Sequence, residues 1–350
     1  MTPAQRPAGP IPRPAEHPEG ATLSTNVIHR PVYFDCDTGI DDSMAIGYLL
    51  GSPEINLVGI GTVSGNVSAA QAARNTLDLL SLAGRDDVPV AIGAHDPLAG
   101  VFDGGVPHIH GHNGVGDIAL PASPRSPAAE DAAHLLVRLA HQYPGSLEII
   151  TVGPTTNVAA ALQLDPELPG LVSRIAVMGG AALVPGNISA VAEANIGNDP
   201  EAAAKLFEAS WDLTLVPLDV TLENTFEEAD RQVLLNAPNA FARAIGAMLD
   251  RYFEFYVALY GRRCSALHDP LAAAIAVGTI KALRAPAVPI VVDTTRGPGR
   301  GQTICDLRGQ RQGPVDHPGV RTRVVLETDK PLGPDLLKRL LAAAPVPAAH

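Results

Sequence analysis

The sequence predicts an α/β fold, a single domain whose mainly parallel central sheet is flanked by helices. Three observations predict it. Short apolar runs of β-rich composition alternate with longer segments of helical pattern, which is what crossover connections between parallel strands produce. Aromatic residues make up only 4% of the 350 residues while apolar residues reach 46%, with 33 glycines and 32 prolines, a composition better suited to a compact α/β chain than to a β-sandwich. Polar residues also gather in the segments that follow the strands, where ligands bind in open α/β sheets.

The elements follow in order. Residues 31–35 (PVYFD) read as a buried strand and 42–51 (DSMAIGYLLG) as the helix after it. A second strand at 55–63 leads into a helix over 68–84 that a glycine stops, and 88–93 (VPVAIG) is a third strand. Residues 94–127 are rich in Gly, His, Asp and Pro without periodicity. An irregular stretch of that length inside a compact domain is usually functional or disordered. A helix over 128–143, a strand at 147–153 and a helix over 155–164 resume the alternation. A strand at 174–180, a Gly/Asn loop to about 197, a helix over 199–210 and a strand at 213–220 continue it. A long helix covers 238–260. The end differs: VPIVVDTT, GQTICDLR and VRTRVVLET read as antiparallel or mixed strands, closed by a helix near 333–344.

Composition bounds the partners. The net charge is −12 with a pI near 5.3 and no Lys/Arg run, which argues against nucleic-acid and anionic-membrane surfaces. Cys36, Cys264 and Cys305 are far apart and odd in number, so a disulfide framework is not expected and a reducing, cytoplasmic setting is. Residues 1–28 hold six prolines and no apolar core, so they read as a disordered tail ahead of a domain over 29–350. No stretch reaches the length of a membrane span.

The chemistry concentrates in DCDTGIDD, where Asp35, Asp37, Asp41 and Asp42 fall within eight residues. Like charges this close raise one another's pKa unless a cation or strong donors offset them. An EF-hand loop starting at Asp35 fails, because its bidentate acid would fall on Ile46. A phosphatase of haloacid-dehalogenase type, with Asp35 as nucleophile, also begins with Asp-x-Asp after a strand, but Gly39 stands where it needs Thr or Val. A helix N-terminus decorated with acids accounts for one or two aspartates and not four. A hard-cation site with oxygen ligands from several loops accommodates all of them.

DCDTGIDD, SGN (64–66), VGPTTN (152–157), MGG (178–180), GNISAVAEANIGNDPEAA (186–204) and HDPLAAA (268–274) resemble, in order, the motifs of the calcium-dependent, inosine–uridine-preferring nucleoside hydrolases. The resemblance spans about residues 30–345; Thr38 departs from it where many members carry proline. It implies a Rossmann-like nucleoside hydrolase fold and cleavage of ribonucleosides to ribose and base. It further implies Ca²⁺ held by Asp37, Asp42, Asp269 and the carbonyl of Val152, with Asp37 as general base toward a calcium-bound water. Asp41, Asn66, Asn187, Glu193 and Asn195 would hold the ribose, Asp35 would support from behind, and His268 would protonate the leaving base. His110 would face the base from a His-Gly lid, and relatives of this kind are commonly homodimers or homotetramers.

Some readings stay open at this level. His108, His110 and His112 alternate, as a transition-metal site or an unrelated surface loop could. Tyr252, Phe255 and Tyr256 sit at near-helical spacing, which suits core packing with some of them lining the base pocket. A silent ribose- or calcium-binding protein on the same scaffold is the alternative outside enzymes. Cys36 and Cys264 lie close to site residues without an activating partner and read as packing residues.

Overall fold

The computed structural model describes residues 29–344. The tail expected over 1–28 lies outside the described residues. The chain opens with β1 (Arg30–Cys36), α1 (Ile40–Leu50), β2 (Ile55–Thr62), α2 (Ala69–Leu82) and β3 (Val90–Ile92). The aperiodic stretch contains one helical turn, α3 (Pro107–His110), before α4 (Ala132–Gln142), β4 (Leu147–Thr151), α5 (Thr156–Leu164), α6 (Leu168–Leu171) and β5 (Val172–Met178). The middle holds α7 (Ala194–Asn198), α8 (Pro200–Glu208), β6 (Leu213–Val216), α9 (Leu218–Thr221), β7 (Thr225–Glu227), α10 (Glu228–Leu235) and α11 (Ala240–Tyr260). The chain then runs through β8 (Cys264–Ala266), α12 (His268–Val277), β9 (Ala282–Arg284), β10 (Ile290–Val292), β11 (Thr303–Cys305), β12 (Thr322–Val324), β13 (Glu327–Thr328) and α13 (Gly333–Ala342).

Seven strands form the central sheet in the order β12-β6-β5-β4-β1-β2-β3, and every neighbouring pair in it is parallel. Strand periodicity of two sends alternate side chains of β1 to opposite faces. Val32, Phe34 and Cys36 join one core with α1, α11, α12 and α13. Tyr33 joins the other with Ile149, Val177 and Leu215 under α4 and α5. The polar Asp35 shares the Tyr33 face by the same alternation.

Three expectations are corrected, and one segment with no expected element gains one. VRTRVVLET is not part of an antiparallel end region alone: its Thr322–Val324 pairs in parallel with Leu213–Leu215 and completes the central sheet. The strand read over 213–220 stops at Val216, because Pro217 has no N–H for the ladder and a helical turn follows. The first helix starts at Ile40, two residues earlier than its apolar pattern, because Asp41 and Asp42 belong to its first turn. HDPLAAA continues as α12, which is buried along almost its whole length. A helix apolar on every side carries no amphipathic stripe to read. The small antiparallel pairs β10–β11 and β13–β9 agree with the expected mixed end of the chain, and a further antiparallel pair, β7–β8, lies ahead of it.

Candidate active site

The carboxyl ends of β1, β2, β4 and β5 and the N-terminus of α12 converge on one polar, buried region. Its base is the turn between β1 and α1. Asp42 folds back over that turn: one carboxylate oxygen accepts from the N–H of Asp37 at 3.0 Å, the other from the N–H of Gly39 at 2.8 Å. Gly39 is required there, since a Cβ would lie 2.6 Å from Asn66 Nδ2 and 2.7 Å from His110 Nδ1.

Carboxylate oxygens of Asp41, Asp42 and Asp269 lie within 4.8 Å of one another, and all three residues are buried. Asp37 flanks this trio. Its Oδ2 accepts from the N–H of Asn66 at 2.6 Å, while its Oδ1 is buried without a hydrogen-bond partner. Asp41 Oδ2 accepts from the Tyr252 hydroxyl at 2.9 Å and its Oδ1 is likewise unpartnered. Asn66 Nδ2 donates to Asp42 at 3.1 Å, so its side chain braces the acids. Burial first, and then the neighbouring acids, push Asp42 up to about 7 and raise Asp37 and Asp269 well above the usual carboxylate range. Buried carboxylates with unpartnered oxygens form an oxygen donor set that suits a hard divalent cation. The residues present therefore fit the ion implied by the sequence. The tightest trio contains Asp41, which the resemblance assigns to the ribose, with Asp37 beside it.

On the β4–β5 side, Asn195 Nδ2 donates to the carbonyl of Val152 at 2.7 Å and to that of Met178 at 3.2 Å. Two residues expected to serve different partners are thus joined, and a carbonyl retains a second lone pair. Glu193 caps α7: its oxygens accept from the N–H groups of Asn195 (2.9 Å), Gly180 (2.8 Å) and Ile196 (3.2 Å). Burial pushes its carboxyl up to about 7. Asn187 is exposed, tied through Oδ1 to the N–H of Ala194 beside Glu193.

Two histidines form the opposite side. His110 is buried, and its Nδ1 accepts from the backbone N–H of Ile40 at 3.0 Å. A backbone N–H only donates, so the ring proton resides on Nε2, which faces Asp41 Oδ1 at 3.9 Å. His268 is also buried, with Nε2 at 2.7 Å from the Tyr256 hydroxyl and Nδ1 at 2.8 Å from the Thr221 hydroxyl. Burial lowers the pKa of both rings. Tyr252 and Tyr256 pack edge to face at 5.0 Å, and Phe255, more exposed, meets His108. Tyr252 and Tyr256 are thus core residues whose hydroxyls reach Asp41 and His268.

The alternating histidines do not converge. His110 points inward, whereas His112 is exposed and faces Asp117 at 3.6 Å, so the transition-metal reading has no support among the described residues. Asp35 is fully buried beneath α5, where Asn157 Nδ2 donates to it at 3.0 Å, and a nucleophile needs access it lacks. Burial raises the Cys36 and Cys264 thiols, as packing residues require. Thr221 escaped sequence reading because it closes α9, a turn whose first three residues the apolar pattern merged into a strand.

A family profile described as inosine-uridine preferring nucleoside hydrolase matches residues 32–332. Uridine nucleosidase 1 of Arabidopsis thaliana is 38% identical over 243 residues, 69% of this chain and 72% of that protein. The inosine-uridine preferring nucleoside hydrolase of Crithidia fasciculata is 33% identical over 304 residues, 86% of this chain and 94% of that protein. The solved structure of a purine-preferring ribonucleoside hydrolase from Gardnerella vaginalis superimposes with a TM-score of 0.82 at 33% identity, covering 90% of this chain and 99% of that one. The chain belongs to the inosine-uridine preferring nucleoside hydrolase family and is a hydrolase of N-glycosyl compounds, splitting ribonucleosides into ribose and free base.

Proposed function

We propose that the buried acids hold calcium and the ribose together, and that the two histidines and the tyrosines of α11 face the departing base. The observation that carries this reading is the cluster of Asp41, Asp42 and Asp269, with the unpartnered Asp37 oxygen beside it. Asp37, Asp42, Asp269 and the Val152 carbonyl are the proposed ligands, with Asp41 oriented by Tyr252 toward both ion and sugar. When bound, calcium supplies the charge that offsets these carboxylates and makes a nearby water more acidic.

In the proposed reaction the C1′–N bond of the nucleoside breaks and the oxygen of water bonds to C1′. Asp37 takes the water's proton and His268 delivers one to the base nitrogen. Glu193, Asn195, Asn66 and Asn187 position the ribose, and their oxygens favour positive charge on the ribosyl group as the bond lengthens. Hydroxyls of Thr221 and Tyr256 orient both ring nitrogens of His268. The names of the relatives above make uridine and inosine the first substrates to assay.

The test is a ribonucleoside panel assayed for reducing sugar, with and without a calcium chelator, alongside 2′-deoxyuridine. Activity on uridine that the chelator abolishes and that falls steeply for the deoxy analogue is expected. Chelator-insensitive turnover, or equal turnover of uridine and 2′-deoxyuridine, would contradict the calcium–ribose reading. Asp37→Asn and His268→Ala should each lower kcat by about 10²–10⁴-fold.

We further propose one folding unit in the cytoplasm, assembled as a homodimer or homotetramer and binding neither nucleic acid nor membrane. All three cysteines are free, and the net charge of −12 disfavours polyanions. Among the described residues no helix is long and apolar enough to cross a membrane. Val291 and Ile304, a cross-strand pair on β10–β11, are both exposed and offer an apolar contact face. Light scattering on the eluting protein measures the assembly.

A further inference from the structure

Asn75 lies on α2, outside the sequence motifs, and its side chain is 3% exposed. Its amide joins two segments of the site. Nδ2 donates to the carbonyl of Thr38, in the turn that carries Asp37, at 3.1 Å. The same nitrogen donates to the carbonyl of Asn113, in the segment that carries His110, at 2.8 Å. Gln71 Nε2 donates to Asn75 Oδ1 at 2.9 Å, which fixes the orientation of the amide and commits both N–H groups to the two carbonyls.

The Asn113 end is itself knotted. Asn113 Oδ1 accepts from the N–H groups of Val115 (3.0 Å) and Asp117 (2.9 Å), and its Nδ2 donates to the Ile118 carbonyl at 2.9 Å. The N–H of Gly116 then donates to the His110 carbonyl at 2.8 Å. Gly114 permits the close approach: its φ is +83°, and a Cβ would lie 2.9 Å from Val67, 3.0 Å from Asn75 Nδ2 and 3.1 Å from the Thr38 carbonyl. The acid turn has its own support from Asp42, so it does not depend on Asn75 to hold its shape.

We propose that Asn75 is a positioning residue that sets the His110 segment against the acid turn, so that the base side of the site is preassembled on the ribose side. It touches neither substrate nor ion and acts through Asn113 and His110. The inference rests on the proposed assignment of His110 to the base side. Loss of the clamp leaves the competent arrangement a fraction of the population, which lowers apparent substrate affinity and turnover together.

The test uses the full chain with Asn75→Asp, which replaces the donating amide by oxygens facing two carbonyls. Backbone amide exchange over residues 110–117 should quicken by about tenfold or more, and kcat/KM for uridine should fall by about tenfold or more. Calcium affinity by titration calorimetry and inhibition by free ribose should stay within about threefold of the parent, because the ribose side keeps its own supports. Gly114→Ala displaces the same contact by crowding Asn75 Nδ2 and the Thr38 carbonyl while residue 75 itself is unchanged, and should reproduce the pattern; it carries the test if Asn75→Asp does not fold. Unchanged exchange and kcat/KM in the folded variants would overturn the proposal, as would equal losses of calcium and ribose binding. If the parent protein hydrolyses no nucleoside, the calcium–ribose reading fails, whereas the exchange measurement still decides whether Asn75 clamps the segment.

Discussion

The four aspartates of the β1–α1 turn look alike in sequence and differ in surroundings. Asp42 is committed to capping the turn, Asp41 to Tyr252, Asp37 to the N–H of Asn66, and Asp35 to Asn157 on the far face of β1. The residue-scale prediction concerns His268, whose two ring nitrogens each face a hydroxyl. If Tyr256 serves proton delivery through His268, Tyr256→Phe should lower kcat for uridine by about tenfold to a hundredfold. Turnover of a 4-nitrophenyl riboside, whose phenolate leaves without a proton, should change by less than about threefold. Equal losses on both substrates would assign Tyr256 to packing alone. The acids were legible because their spacing is local; the pairing of Thr221 with His268 joins residues 47 apart and has no local trace.

At the scale of elements, α12 delivers His268 and Asp269 from its N-terminus, and its other end is held as firmly. Arg30 Nη2 donates to the Val277 carbonyl at 2.7 Å and Arg174 Nη2 to the Ala276 carbonyl at 3.0 Å. Both arginines pair with the mostly buried Glu148 on β4. Cations at a helix C-terminus also match its dipole. Arg30→Ala should lower stability by about 2 kcal/mol in urea unfolding, with kcat/KM of the folded enzyme nearly unchanged. A large loss of kcat/KM with unchanged stability would mean that this cap tunes the site rather than the fold. Helices with an amphipathic stripe, such as α2 and α4, were readable from periodicity. Buried α12 was not, since every face of it meets protein.

For the whole molecule, the acid cluster sets the dependence on pH and metal. Asp42 and Glu193 stand near 7 in the folded chain against 3.8 and 4.5 for free groups. Their folded pKa values are raised, so the stability they contribute is fully present below about pH 4 and is lost as pH rises through about 7. In chelator the Tm should therefore fall between pH 5 and pH 8. If the folded cluster holds calcium as proposed, the ion at a hundredfold excess over its Kd should restore about 2.7 kcal/mol at pH 8. A Tm indifferent to chelator at pH 8 would contradict the assignment of these acids to a cation. By itself the sequence determined the α/β alternation, the strand-end placement of the polar loops and the family motifs, because periodicity and short spacings are local properties of a chain. Only the tertiary structure decided that residues 322–324 complete the parallel sheet, that Asp41 joins Asp42 and Asp269, and that Asn75 spans two loops. These are contacts between distant segments, and packing, which no local pattern encodes, selects them.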